Sequence, residues 1–325
     1  MRVEEVYYTT SLCADIYYAA VKELRPVVIV VHGGIWLMGS KQNVGNMCLD
    51  LYDNTQCVCI APNYSLSTIE DLFLVRALCI ELTTLTIILF VIKDRPLVSV
   101  LTIVLVFAIL YCLVKLMYVD TKNQHPQHVL DIAHCVRWVY KNIDKYGGDP
   151  NKIILLGHSA GAHLVSLLAL NDKYLHSVDL DRSVIKGVVP ISGPYSNSRI
   201  LNNPFIVEIM HHIGLNPHSQ VDKLEYFDAW PITSINPRLS NPPFLLIVAE
   251  FDHSIELHTL DFYYALKDAG IYTRVKNAEN TTHFTVKEYW SSKNKHVLQS
   301  VLDFMECVHS YTKHNLDGLD FQDLD

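Results

Sequence analysis

"KIILLGHSAGAHLVSLLAL", residues 152–170, decides how this chain is to be read. An aliphatic run from Ile153 to Leu156 stops at a glycine, the pattern of a strand buried on both faces. The apolar stretch after Gly161 has the length of a buried helix. Between them stands Gly157-His158-Ser159-Ala160-Gly161. Glycines two positions either side of Ser159 let the backbone approach closely at a sharp strand-to-helix turn. A serine hydroxyl attacks carbonyl carbon poorly unless it is exposed, held and relieved of its proton by a neighbour. Such a turn meets the first two needs. A G-x-S-x-G match alone is weak, since an ordinary glycine turn reproduces it. The strand before and the helix after make it a nucleophile elbow, with Ser159 as the candidate nucleophile.

Attack on a carbonyl puts negative charge on its oxygen and calls for preplaced N–H donors; losing one costs about 2.7–4 kcal/mol. "VVIVVHGGIW", residues 27–36, is a buried strand running into two glycines whose amides can point into a cleft. Gly33 and Gly34, with the N–H of Ala160 after the nucleophile, are the candidate oxyanion donors. His32 stands where it would orient this loop rather than act as a base. The base and its orienting acid should follow in the chain. "IVAEFDHS" sets Asp252 just past a strand end, the edge of a sheet that presents catalytic groups. "ENTTHFTV" sets His283 in a loop after the next strand. Glu250 and Glu256 rival Asp252, although Glu250 reads as part of the strand, and His253 is too close to Asp252 to be oriented by it. The chain order Ser159, Asp252, His283 is that of one known triad arrangement.

Around these motifs the chain alternates strands and helices. "VEEVYYTT" and "CADIYYAA" read as a hairpin. "CVCIAPNYS", "VIKGVVPISG", "PPFLLIVAEFD" and "YTRVKNAENTTHF" read as further strands. Helices are expected over "HPQHVLDIAHCVRWVYKNIDKYGGDP", closed by Gly147 and Gly148, over "ELHTLDFYYALKDAG", and from about 295 to 311. The expected fold class is α/β: a mostly parallel sheet with helices on both faces. Residues 195–243, rich in proline and asparagine turns, break the alternation and read as a cap beside the substrate pocket.

The 325 residues are ordinary for one large α/β domain, and length alone allows one or two domains. The net charge of −8 and the absence of a Lys/Arg run speak against a nucleic-acid partner. The eight cysteines form no CxxC pair; Cys57 and Cys59 would share one face of a strand, which suits packing better than metal binding. Acidic residues stand where a secretory signal would have its apolar run, so the catalytic domain is expected in the cytosol, and the sequons at Asn63 and Asn280 read as accidental. An acidic tail covers 315–325.

Together these residues resemble an α/β-hydrolase of the esterase/lipase group. "HGGIW", "APNYSLS", "YGGDPNKIILLGHSAGAHL", "VVPISGPYS" and "PPFLLIVAEFD" are similar, in order, to blocks of carboxylesterases near the prenylcysteine methylesterases and arylformamidases. The likeness covers about residues 5–65 and 124–312. Ile35 departs from it, standing where lipase-like relatives often carry a third glycine. The resemblance implies ester hydrolysis without metal or organic cofactor and does not fix the substrate; small or lipid-like esters are expected, the lipid-like ones from the apolar insertion over 68–123. An amidase or arylformamidase would use the same machinery, and a hydrolase fold kept only for binding would have no need of Ser159, Asp252 and His283 together.

The catalytic domain is thus expected over 1–67 and 124–314, interrupted by a hydrophobic insertion over 68–123. "LVSVLTIVLVFAILYCLVKLMYV", residues 97–119, carries one charge, Lys115. As a helix it would span about 34 Å at roughly 1.5 Å per residue, against a hydrocarbon core of about 30 Å. Residues 72–92 are also apolar but contain Arg76 and Glu81, and Pro96 breaks the chain between the two. A transmembrane hairpin, a buried or cap helical pair, and a translated segment outside the working fold all fit. Topology favours the hairpin: both flanks build one sheet, so they lie on one side of a bilayer, which two crossings allow and one does not. The insertion leaves from a strand's C-terminal end, so a hairpin over 72–119 would hold the catalytic mouth against a membrane.

Overall fold

The structure, a computed structural model, describes residues 1–20, 22–69, 121–199, 210, 213–215, 229–252, 255–289 and 295–310. The chain divides into two compact units, Met1–Leu66 with His125–Asp325, and Ser67–Gln124.

In the larger unit, β1 (Arg2–Tyr7) and β2 (Cys13–Tyr18) form the antiparallel hairpin read from the sequence, with Arg2 opposite Tyr18 and Tyr7 opposite Cys13. β3 (Arg25–Val31), α1 (Gly45–Thr55) and β4 (Val58–Pro62) follow. In the smaller unit, β5 (Thr68–Ile69) and β6 (Thr121–Lys122) make a two-stranded antiparallel ribbon, closed by Ser67 donating from Oγ to the Asn123 carbonyl at 2.7 Å. The larger unit resumes with α2 (Gln127–Asn142), β7 (Gly148–His158), α3 (Ala160–Leu170) and β8 (Ile185–Ile191). It ends with β9 (Phe244–Phe251), α4 (Ile255–Asp268), β10 (Thr273–Thr282) and α5 (Lys295–Ser310).

The eight strands lie in the order β1-β2-β4-β3-β7-β8-β9-β10, and every pair from β4 to β10 is parallel. Side chains of a strand alternate between faces, so β3 feeds two cores. Val27, Ile29 and Val31 join the core built with α2, α3 and α4. Val28 and Val30 join the other, which holds Met47, Cys48 and Leu51 of α1 and Val297, Val301 and Phe304 of α5. Both faces being covered, the central strands read as unbroken apolar runs.

The helix α1 has no counterpart among the elements anticipated from sequence. Its buried residues Met47, Cys48, Leu51 and Tyr52 have helical spacing, yet it is short and ends at Gln56 with φ 56°, without the glycine that marks a helix stop. Cys57 and Cys59 are buried with their sulfurs 3.4 Å apart, on one face as expected.

Between β8 and β9 no strand occurs among the described residues. Tyr195 stacks on Phe262 of α4 at 4.4 Å, and a short 3-10 turn spans Pro231–Ser234. Residues 200–209, 211–212 and 216–228 of the expected cap lie outside the described residues, as do the expected hairpin stretches 72–92 and 97–119 and the tail 315–325. Among the described residues no helix is long and apolar enough to cross a membrane.

Candidate active site

The elbow forms where β7 turns into α3. Ser159 has φ 55° and ψ −119°, a conformation L-residues rarely adopt, costing roughly 1–3 kcal/mol. Two backbone bonds hold it there: its N–H donates to the Ile191 carbonyl at the end of β8 (2.9 Å), and its carbonyl accepts from His163 N–H (3.2 Å). The flanking glycines are required by packing. A Cβ on Gly157 would stand 2.4 Å from the Gly161 carbonyl oxygen, and one on Gly161 would stand 2.2 Å from the Val31 carbonyl oxygen. The turn can therefore be this tight, and α3 can lie this close to β3, only with glycine at both positions.

Ser159 meets the other two anticipated residues. His283 Nε2 lies 2.9 Å from Ser159 Oγ, and His283 Nδ1 lies 2.7 Å from Asp252 Oδ1. Asp252 follows β9 directly and is buried, with its backbone carbonyl accepting from Ile255 N–H as α4 begins. A carboxylate can only accept, so His283 Nδ1 carries the proton and Nε2 is left to accept from the serine hydroxyl. Of the rivals, Glu250 sits in β9 and Glu256 in the first turn of α4, and His283 bonds to neither among the described residues; His253 lies outside them.

The loop after β3 packs directly on the elbow. A Cβ on Gly33 would stand 2.8 Å from Ser159 Cβ. The Gly34 carbonyl closes the turn by accepting from the Leu37 and Met38 amides, at 3.1 and 3.0 Å. The N–H groups of Gly33 and Gly34 have no acceptor among the described residues. Ala160 opens α3, so its N–H lacks an intrahelical acceptor too. Ile35 and Trp36 both take positive φ, 54° and 58°, and for β-branched Ile35 this is a strained conformation. The loop is held from below. His32 is buried, and burial pushes its pKa down to about 4; the neutral ring donates from Nδ1 to the Gly33 carbonyl at 2.8 Å and stacks on Tyr64 at 4.4 Å. Trp36 is buried edge-on to His163 of α3 at 5.0 Å. Three large apolar side chains stay open to solvent in the two loops that carry the site: Ile35, Met38 and Phe284, the last 68% exposed.

A profile of the BD-FAE family matches residues 100–263, half of the chain, and its span contains both Ser159 and Asp252. The chain belongs to the BD-FAE family. It is similar to esterase LipQ of Mycobacterium tuberculosis, 28% identical over 57% of this chain and 44% of that one. It is also similar to isoprenylcysteine alpha-carbonyl methylesterase ICME of Arabidopsis thaliana, 30% identical over 39% of this chain and 32% of that one. The matched stretches thus span less than half the length of these relatives. Among solved structures, a hyperthermophilic esterase from the archaeon Pyrobaculum calidifontis superposes with a TM-score of 0.63 at 20% identity, over 95% of this chain and 85% of that one. The fold is the α/β-hydrolase fold.

Two side chains of this BD-FAE chain, Glu250 and His158, hold the loop that carries His283, a task the sequence did not suggest for either. Between Ala278 and Thr282 the β9–β10 ladder slips by a bulge, and Asn280 takes φ 55°. Glu250 accepts from the Asn280 N–H at 2.6 Å, so the rejected rival for the acid stands beside the bulge instead. His158, the variable position of the elbow, is buried and reaches across with Nε2 to the His283 carbonyl at 2.8 Å. A carbonyl accepts, so Nε2 carries the proton, and burial pushes the ring's pKa down to about 3, leaving it neutral. A glutamate beside a strand end and a histidine between two glycines carry no sequence signal for these tasks.

Proposed function

We propose that this chain hydrolyses carboxylic esters through an acyl-enzyme formed on Ser159. The observation that carries the reading is His283, within hydrogen-bond distance of both Ser159 Oγ and Asp252 Oδ1. His283 Nε2 takes the hydroxyl proton as Oγ attacks the ester carbonyl carbon, and Asp252 stabilises the imidazolium that forms. The carbonyl oxygen, now negative, accepts from the amides of Gly33, Gly34 and Ala160. As the tetrahedral intermediate collapses, the carbon–alkoxy bond breaks and His283 returns the proton to the departing alcohol. Water, deprotonated by His283 in turn, then frees the acid and restores Ser159. His32 keeps the loop of Gly33 and Gly34 in register.

The substrate class we assign is a small or lipid-like ester. Exposed Ile35, Met38 and Phe284 beside the site support an apolar partner, as does the likeness to a methylesterase named for an isoprenylated cysteine. The apolar stretches 72–92 and 97–119 form a hairpin in a bilayer in this reading, supported by a 23-residue span with one charge.

The test is Ser159→Ala. Hydrolysis of p-nitrophenyl acetate and labelling by a fluorophosphonate probe should both disappear while the far-ultraviolet circular dichroism is unchanged; full residual activity would sink the assignment. A series of p-nitrophenyl esters of rising acyl length should show kcat/KM climbing with length. Faster turnover of an N-formyl arylamide than of any ester would make the chain an arylformamidase. Carbonate extraction should leave the full chain in the membrane pellet, and quantitative release would refute the hairpin.

A further inference from the structure

We propose that His158 is a positioning residue, locking the base loop to the nucleophile elbow by donating a hydrogen bond from Nε2 to the backbone carbonyl of His283. The proposal rests on the triad reading of Ser159, His283 and Asp252 and adds what holds His283 in place. An elbow needs glycine on either side of Ser159, but nothing in its backbone geometry calls for histidine at 158. The side chain there nevertheless donates a hydrogen bond, at 2.8 Å, to the residue proposed as base.

Residue 283 has three polar handles that matter. Its ring nitrogens face Ser159 and Asp252, and its carbonyl faces His158. The first two bonds orient the ring, and the third fixes the main chain from which the ring hangs. Residue 283 needs that third anchor, because it lies just past the end of β10 and so beyond the sheet ladder. On the N-terminal side the chain is held by Glu250 on Asn280 N–H and by Thr281 donating from Oγ1 to the Ala278 carbonyl.

The same ring also touches the third part of the site. Its centroid is 5.1 Å from that of His283, and its Nδ1 would lie 3.0 Å from a Cβ placed on Gly33. His158 is therefore bonded in sequence to the nucleophile, packed against the proposed oxyanion loop and hydrogen-bonded to the base residue. An ionised glutamate, which can only accept, would set two acceptors against each other in a buried place, and keeping it protonated there to donate costs free energy as well.

Three variants of the full chain separate the donor role from simple filling of space: His158→Gln, which keeps a donor, His158→Glu, which offers an acceptor, and His158→Leu, which offers neither. With p-nitrophenyl butyrate, Leu and Glu should lower kcat by roughly 10–100-fold, the loss expected of a base displaced by up to about 1 Å. KM should change much less, fluorophosphonate labelling of Ser159 should slow in parallel, and Gln should recover most of the rate. Wild-type kcat and labelling in a folded Leu variant would overturn the proposal, as would a Gln variant no better than Leu. Nitrogen-15 imidazole spectra of the unmutated chain in detergent give an arm independent of folding and of activity. His158 should appear as a neutral Nε2–H tautomer that does not titrate between pH 8 and 5, and an Nδ1–H tautomer or a titrating signal would overturn the proposal. If the unmutated chain neither turns over esters nor labels, the triad reading fails, and the tautomer still decides whether His158 holds the loop.

Discussion

Beside the proposed nucleophile, Ser159, a methyl group added to Gly161 would stand 2.2 Å from the Val31 carbonyl oxygen. At the proposed base, His283 follows a bulged strand whose loop is held by the side chains of Glu250 and His158. The first half of the site is set by backbone meeting backbone. Neither partner there can move without displacing the sheet, so only one residue type fits. The second half is set by side chains donating to or accepting from backbone groups. More than one residue type can make such a bond, and the loss of one leaves others in place. Changes at the nucleophile should therefore be all-or-none, and changes in the support of the base should be graded.

The largest effect is expected from Gly161→Val. Its Cβ has nowhere to go, so the variant should be destabilised by more than about 4 kcal/mol and be recovered unfolded or not at all. A folded variant with the wild-type melting temperature would break the steric half of the comparison. Next is Asp252→Asn, which keeps size and fold but lets a neutral amide face His283 Nδ1. Its kcat should fall on the order of 10³–10⁴-fold with unchanged circular dichroism, and a loss smaller than about tenfold would move the acid's role elsewhere.

Acid stability sharpens the comparison further. His32 and His163 pack around the elbow and His158 links it to the His283 loop, and burial pushes their pKa values down, to about 4, 3 and 3 in the order 32, 158, 163. The folded state keeps them neutral while the unfolded chain binds protons near the ordinary value of about 6.5. Stability is then lost as pH falls below about 6.5, by roughly 1.4 kcal/mol per pH unit for each histidine, or about 4 kcal/mol per unit for the three between pH 6 and 4. Urea melts at pH 7 and 5 should differ steeply, and parallel curves would mean these rings are solvated. The smallest effect is expected from Glu250→Ala. It removes one clamp from the bulge and should lower kcat by about threefold to tenfold, with KM and the melting temperature little changed. A loss as deep as that of Asp252→Asn would mean that Glu250 acts on the chemistry itself.

Most of the sheet was legible in the chain because strands buried on both faces must be apolar throughout and must stop at turns. β3, β4, β7, β8 and β9 all announce themselves this way. The helix α1 escaped notice because eleven residues with four buried side chains and no glycine at the stop leave too little pattern. Ser159, Asp252 and His283 could be picked out by their order and by the strand ends before them. The rest of the site could not. Trp36 meeting His163 and Tyr64 stacking on His32 join separate segments of the chain, and neither pairing follows from local periodicity.

By itself the sequence determined the elbow, the parallel sheet and the order in which the candidate residues appear, because each rests on demands that neighbouring residues make on one another. Glycine must flank a turn this tight, and aliphatic side chains must line a strand with no wet face. Only the tertiary structure decided that His283 faces Ser159 and Asp252 together, and that His158 holds the carbonyl of a residue 125 positions away. Those bonds depend on where the ends of β7, β9 and β10 come to lie across one sheet edge. Strand register and a single bulge set that spacing, and neither leaves a mark in any one stretch of the chain.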